Sequence, residues 1–127
     1  MRQLTEHRVN PANDRLAVIV VDEQGAGGAH HVYQIAVPVP VGEDHLEYRE
    51  LANVIFQNGP INEVGINGVT HEALLAIIAD RLRSFQAGPY SCKENARALT
   101  HIEEALHWLH SRTLKRMQRG VEGTHAA

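Results

Sequence analysis

Cysteine is almost missing from this chain. A single one, Cys92, stands among 127 residues, so no disulfide can close within the chain and no cysteine-based zinc site can form. A lone thiol suits a reducing compartment. Long apolar runs are missing too. No window approaches the ~18 apolar residues of a membrane span, and the opening Met1-Arg2-Gln3-Leu4-Thr5-Glu6 lacks the apolar stretch of a signal peptide. A cytosolic protein with no membrane partner is expected. Excess positive charge is absent, the net charge being −3, which argues against a general DNA or RNA binder. No internal repeat or low-complexity segment occurs. There is also no nucleophile elbow, no recognisable Cys–His pair and no carboxylate dyad. Glu103 and Glu104 are adjacent, so on a helix they point to different faces. What remains is an ordinary globular balance, with 43% hydrophobic and 21% charged residues. The length suits one domain, 1–127. Such a short chain buries roughly two-thirds of its unfolded surface, so stabilisation by self-association is expected.

The patterning changes character halfway along. Residues 1–14 are polar, and Asn10-Pro11-Ala12-Asn13-Asp14 reads as an arm or turn. Residues 15–68 read as a small sheet. Leu16 to Val21 forms a β-branched strand bounded by turn formers. The glycine-rich Gln24–Ala29 follows. A second strand runs from His31 to Val37, with Pro38 and Pro40 expected to end it at a sheet edge. Residues 42–50 are charged and read as a loop or short helical turn. Asn53–Gln57 predicts a third strand, closed by Asn58-Gly59, and Ile61–Gly65 a fourth. The connections are short, which predicts an antiparallel meander.

From Thr70 the period is helical. Leu74, Leu75, Ile78, Leu82 and Phe85 recur at three- and four-residue spacing. Thr70 is the expected N-cap, and Gly88-Pro89 stops the helix. Ser91-Cys92-Lys93-Glu94 matches a capping box for a second helix, expected to run to about Arg119 and end at Gly120 in a left-handed C-cap. That helix would be ~40 Å long. The fold class is therefore α+β: a small antiparallel β-sheet followed by a long C-terminal helical hairpin and tail over residues 69–125.

The long helix carries two stripes. Leu99, Ile102, Leu106, Leu109 and Thr113 form a seam for the first helix. Ala98, His101, Ala105, Trp108 and Arg112 lie beside it and need a second partner, either another copy of the chain or the sheet. Asn95 falls near the helix start, where a buried amide must find a hydrogen-bond partner. It is either a structural amide or a ligand contact. Arg112 and Arg116, one turn apart, can hold a phosphate or pyrophosphate, although cations also gather at helix C-termini through the helix dipole. Phe85 offers a face for a base. Asn95 and Arg112 are separated by 17 positions, about 25 Å along a straight helix. A small ligand cannot span that on one chain. An antiparallel dimer would bring the loop end of one hairpin to the arginine end of another and make two equivalent sites.

Two further motifs are weaker. Gln24-Gly25-Ala26-Gly27-Gly28-Ala29-His30-His31 has the glycines of a phosphate loop but not the lysine and hydroxyl of a P-loop, and it precedes a strand. It reads as a hairpin connection, or as a cover bringing backbone amides or His31 over a ligand. Glu104-x-x-His107 has the spacing of half a di-iron carboxylate site, but the first helix offers no matching carboxylates. Solvent-facing His107 and His110 are the expected reading. No metal or cofactor is expected.

One run carries a wider resemblance: Asn58-Gly59-Pro60-Ile61, Glu63 to Val69, Leu74 to Ile77, Asp80-Arg81-Leu82, Phe85-Gln86, Cys92, Glu94-Asn95-Ala96, Ala98 to Thr100, Glu103 to Leu106, Trp108-Leu109, Arg112-Thr113 and Arg119 to Thr124. It is similar to the first Thoeris anti-defence family of phage proteins. Its hairpin also resembles that of the phage anti-CBASS sponges, which lack the N-terminal sheet. The resemblance covers about residues 15–125 and is most specific from Gly65 onward; residues 1–14 match nothing. It implies a non-enzymatic sponge that holds cyclic ADP-ribose isomers in the cytoplasm of the infected bacterium. It also implies cyclic trinucleotides as further ligands at a separate site, and self-association as dimers or trimers of dimers. By resemblance Phe85 stacks on the adenine, Asn95 contacts the ligand, and Arg112 and Arg116 hold the phosphates. The region of Gly28 and His31 closes over them, and Arg119 to Thr124 form the second site. An enzyme hydrolysing the same signals and a ligand-free helical-hairpin module remain as alternatives.

Overall fold

The computed structural model describes residues 1–126. Four strands form one antiparallel sheet, β1 (Arg2–Leu4), β2 (Ala17–Val20), β3 (Val32–Pro40) and β4 (Leu46–Ile55), ordered as in the sequence. A four-residue helix α1 (Pro11–Asp14) lies between β1 and β2. After the sheet come a short helix α2 (Ile61–Val64) and the long α3 (His71–Gln86) and α4 (Lys93–Gln118). The chain divides into two compact units, Met1–Asn58 and Gly59 onward. The expected α+β class, the meander and the helical hairpin are what the structure shows.

Several local expectations are corrected. The arm at residues 1–14 contributes a strand, with Arg2 paired to Val20 and Leu4 to Val18. Three polar-flanked residues carry no alternation of their own; pairing with β2 decides their state. A ring nitrogen of His7 bonds the carbonyl of Leu16 at 2.7 Å and ties the segment down. Asn10-Pro11 begins a helix rather than a turn. The Asn10 Oδ1 accepts from the Ala12 amide at 2.9 Å, and proline suits the first helical position because the donor it lacks has no helical partner there.

The prolines do not end β3. Pro38 pairs with Tyr48 and Pro40 with Leu46. The β2 pairing stops at Ala36, so both prolines lie where β3 is itself an edge. Their spacing of two puts both missing donors on one side, which the open side tolerates. Residues 46–50, expected as a loop or short helical turn, belong to β4. The whole strand is exposed except for a half-buried Val54, so no buried face imposes an alternating pattern. Leu51 is bulged out between the Ala36–Glu50 and Ile35–Ala52 pairs. The expected strand at Ile61–Gly65 is α2. Pro60 stands at its N-cap, and Gly65 at φ 75° ends it.

Fully enclosed apolar side chains are small: Ala17, Val20 and Ala36 in the sheet and Ala79 in α3. In the sheet unit, Tyr33 meets Phe56 edge-on with centroids 5.7 Å apart. In the hairpin, Leu74, Leu82 and Phe85 of α3 are half-buried, and so are Leu99, Ile102, Leu106, Leu109 and Thr113 of α4. That is the predicted seam except at Ile78, expected in the α3 stripe but 44% exposed. Thr70 caps α3 by accepting from the Ala73 amide at 3.1 Å, as expected, and Gly120 follows α4 at φ 70°.

The cap of α4 is shifted by one residue. Cys92, not Ser91, is the N-cap, its Sγ accepting from the Asn95 amide at 3.4 Å. The Cys92 amide donates to Gln86 Oε1 at 3.0 Å. The last residue of α3 thus supplies the return bond that Glu94 was expected to make.

Candidate functional site

The predicted site residues fall in three places. The first is the loop of the sheet unit. Ala26–Gly28 makes a single 3₁₀ turn in which Gly27 and Gly28 take φ of 73° and 76°. A Cβ at either would touch nothing within 4 Å, so it is backbone conformation, not space, that selects glycine. The turn is braced from below. The Asp22 carboxylate accepts from the His31 amide at 2.8 Å and the Val32 amide at 3.1 Å. Burial would raise the Asp22 carboxyl, but these amide bonds and one from its own backbone outweigh it, His30 adds to them, and the group sits below its ordinary value of 3.8.

His31 is nearly buried. Its Nε2 donates to the Ala26 carbonyl at 3.0 Å, which places a proton on Nε2. The Ala26 amide donates to Asn58 Oδ1 at 3.3 Å. His31 therefore acts within the structure as a post under the loop, while Gly28 is exposed at its tip.

The second place is the turn of the hairpin. Phe85 is half-buried in the last turn of α3, and Asn95 is half-buried in the first turn of α4. The two flank the connection that Gln86 and Cys92 tie together. The Arg81 guanidinium lies 5.0 Å from the Phe85 ring centroid, a cation–π contact across one helical turn. The i, i+4 spacing of Arg81 and Phe85 is the sequence signal for this contact.

The third place is the far end of α4. Trp108, Ser111, Arg112, Lys115, Arg116 and Arg119 line an open groove of about 360 Å³. Trp108 is 68% exposed there. Arg112, Lys115 and Arg119 are exposed, whereas Arg116 is 7% exposed. Its Nε donates to Glu122 Oε2 at 3.0 Å. Its Nη2 donates to the carbonyls of Val121 at 3.0 Å and Thr124 at 3.1 Å, and its Nη1 to that of Ala126. In the sequence Arg116 and Arg112 read as twin cations. The partner Glu122 is not legible there, because an acid beyond the helix end carries no periodic signal.

The structure thus brings Arg112, Arg116 and Arg119 to one groove, with Thr124 hydrogen-bonded to Arg116. Phe85 and Asn95 stand at the opposite end of the hairpin. Asn95 and Arg112 lie on one uninterrupted 26-residue helix, so the ~25 Å between them is real. Glu104 pairs with His101 at 3.7 Å. His107 is exposed and meets Trp108 edge-on at 5.5 Å.

The hairpin pattern can be compared with known proteins. A family model described as the Acb2/Tad1 hairpin domain matches residues 49–114, just over half of the chain. The chain belongs to the Acb2/Tad1 hairpin family. Phe85, Asn95 and Arg112 lie inside the matched hairpin. Arg116, Arg119 and Thr124 lie beyond it, and Gly28 and His31 precede it. A protein named Thoeris anti-defense 1, from Bacillus phage SBSphiJ7, is 55% identical over 76 residues. That stretch is 60% of this chain and 54% of the relative, so the match spans about half the length of the curated Acb2/Tad1 relative.

Proposed function

We propose that this protein is a phage anti-defence sponge, which binds cyclic ADP-ribose-type immune signals and sequesters them in the host cytoplasm without cleaving them. The relative named for Thoeris anti-defence supports the biological role. The observation that carries the ligand class is the cationic groove built on Trp108, Arg112, Lys115 and Arg119. It is made for a compact anion. An aromatic-plus-amide pair, Phe85 and Asn95, stands at the other end of the same hairpin for a base. Phosphates sit with Arg112 and Arg116, and adenine stacks on Phe85. Asn95 bonds the ligand, and the Gly28–His31 loop covers it. Arg119 to Thr124 is the proposed place of a second ligand, a cyclic trinucleotide.

Because the two half-sites are ~25 Å apart along α4, the site needs two copies, arranged antiparallel. The dimer is the unit of function, with three dimers assembling further. The exposed stripe of Ala98, His101, Trp108 and Arg112 supplies the surface for the second copy. Sequestration requires tight enclosure and charge pairing and gains nothing from a general base.

The test is direct. The protein is incubated with a panel of cyclic ADP-ribose isomers, free ligand is removed, the protein is heat-denatured, and the supernatant is chromatographed. Recovery of intact ligand is expected. Recovery of a converted product would replace the sponge with an enzyme. No depletion of any isomer would leave a ligand-free hairpin module.

A further inference from the structure

The C-terminal tail is folded onto the one arginine of the groove that is buried. Arg116 has five N–H hydrogens. Glu122 takes the one on Nε, the carbonyls of Val121 and Thr124 take both on Nη2, and the carbonyl of Ala126 takes one on Nη1. An arginine holds a phosphate or carboxylate bidentately through two parallel N–H groups, either Nε with Nη2 or Nη1 with Nη2. Both edges use Nη2, and Nη2 is fully committed. With the tail folded, Arg116 lines the groove but has no edge to offer a phosphate.

The tail is held at other points as well. The Asn62 amide donates to the Gly123 carbonyl at 3.2 Å, and Asn62 Nδ2 donates to the Glu122 carbonyl at 3.4 Å. His125 Nδ1 lies 3.1 Å from Glu63 Oε1. Gly123, at φ 79°, lies so close that a Cβ there would stand 3.0 Å from Asn62 Nδ2.

We propose that residues 121–126 are a tethered competitor for the anionic ligand: the Glu122 carboxylate and the tail carbonyls occupy the Arg116 guanidinium, and a phosphate gains bidentate contact only as the tail lets go. This rests on the proposed function for the identity of the ligand, but not for the device. Arg112 and Lys115, exposed on the same groove, capture the anion first. Exchange of Glu122 for phosphate on Arg116 then completes the site and frees the tail. Glu122 sets the threshold, since among the described residues it is the one charged group of the tail bonded to Arg116.

Two probes separate the device from the parent reading: the cyclic ADP-ribose isomers, and inorganic pyrophosphate, which carries the phosphates without the base. Affinities are measured by calorimetry for the unaltered protein and for Glu122→Gln, and amide hydrogen exchange is followed at Asn62 and Thr124. These two amides are bonded only while the tail is folded, Asn62 to Gly123 and Thr124 to Val121. Saturating ligand is expected to speed their exchange. E122Q is expected to bind roughly two- to fivefold more tightly, the modest gain of releasing a partly exposed ion pair. Weaker binding by E122Q, or unchanged or slower exchange at both amides under saturating probe, overturns the latch. If pyrophosphate opens the tail while no isomer binds, the latch stands and the sponge reading falls. If neither probe binds either protein, both fall.

Discussion

Phe85 and Arg112 test the two ends of the proposed site separately. Losing a base-stacking face costs about 1–3 kcal/mol, so Phe85→Ala is expected to weaken cyclic ADP-ribose binding roughly 5- to 150-fold and leave pyrophosphate binding unchanged. Arg112→Ala removes a charge-assisted contact worth about 1.5–3 kcal/mol and is expected to weaken both ligands. Calorimetry on the two variants with the two probes checks this; equal losses for both probes in Phe85→Ala would remove the phenyl ring from base recognition. Asp22 governs the loop. Its carboxyl is lowered in the folded protein by the amides it accepts. A lowered carboxyl stabilises the fold above its ordinary value of 3.8 and loses that contribution as pH falls through its still lower folded value. Protection of the His31 and Val32 amides, relative to their intrinsic exchange rates, should therefore hold from neutral pH down to the ordinary carboxyl value of 3.8 and be lost as pH falls through the lower folded value. In Asp22→Asn their exchange should be fast throughout, because an amide nitrogen would face an amide donor.

At the scale of elements, the α3–α4 turn turns on an unusual cap. Cys92 accepts through sulfur, a weaker acceptor than a hydroxyl, and serine ranks among the strongest N-cap residues. Cys92→Ser is expected to raise stability by about 0.5–1 kcal/mol, read as a higher urea midpoint at unchanged slope. Gln86→Ala should lower it, because the Cys92 amide loses its acceptor. Both helices of the hairpin read clearly in the sequence because each keeps a 3.6-residue apolar period against the other. The short elements did not. A strand exposed on both faces, such as β4, and a four-residue helix such as α2 have no buried face to impose a period. Their state is set by Pro60, Gly65 and the pairing of β3.

For the whole molecule the weight falls on surface left uncovered. Among the described residues the enclosed apolar side chains are three alanines and one valine, while Trp108, Leu114 and Met117 along α4 and Ile77 and Ile78 along α3 stand out in solvent. Such a chain gains by burying them against a second copy. Light scattering is expected to give a mass of at least two chains, with a melting temperature that falls on dilution. Trp108→Glu is expected to shift the mass toward one chain and to abolish ligand depletion with it. Co-expression of an Arg112→Ala chain with a Phe85→Ala chain tests the shared site. Heterodimers should keep one intact site each and bind ligand at about half the stoichiometry of the unaltered dimer. Complete loss would mean that each site lies within a single chain.

The sequence alone determined the α+β class, the two long helices with the seam between them, the Thr70 cap and the Gly120 stop. It also placed the aromatic and cationic ends of the hairpin a helix length apart, because helical rise is the same in any context. Tertiary structure decided what the polar groups do. His31 supports its loop instead of facing outward from it. Arg116, alike in sequence to Arg112, is buried because Glu122 and three other residues of the tail, Val121, Thr124 and Ala126, fold back onto it. Hydrogen-bond partners distant along the chain leave no periodic trace, so the difference between a poised cation and an occupied one appears only once the tail is in place.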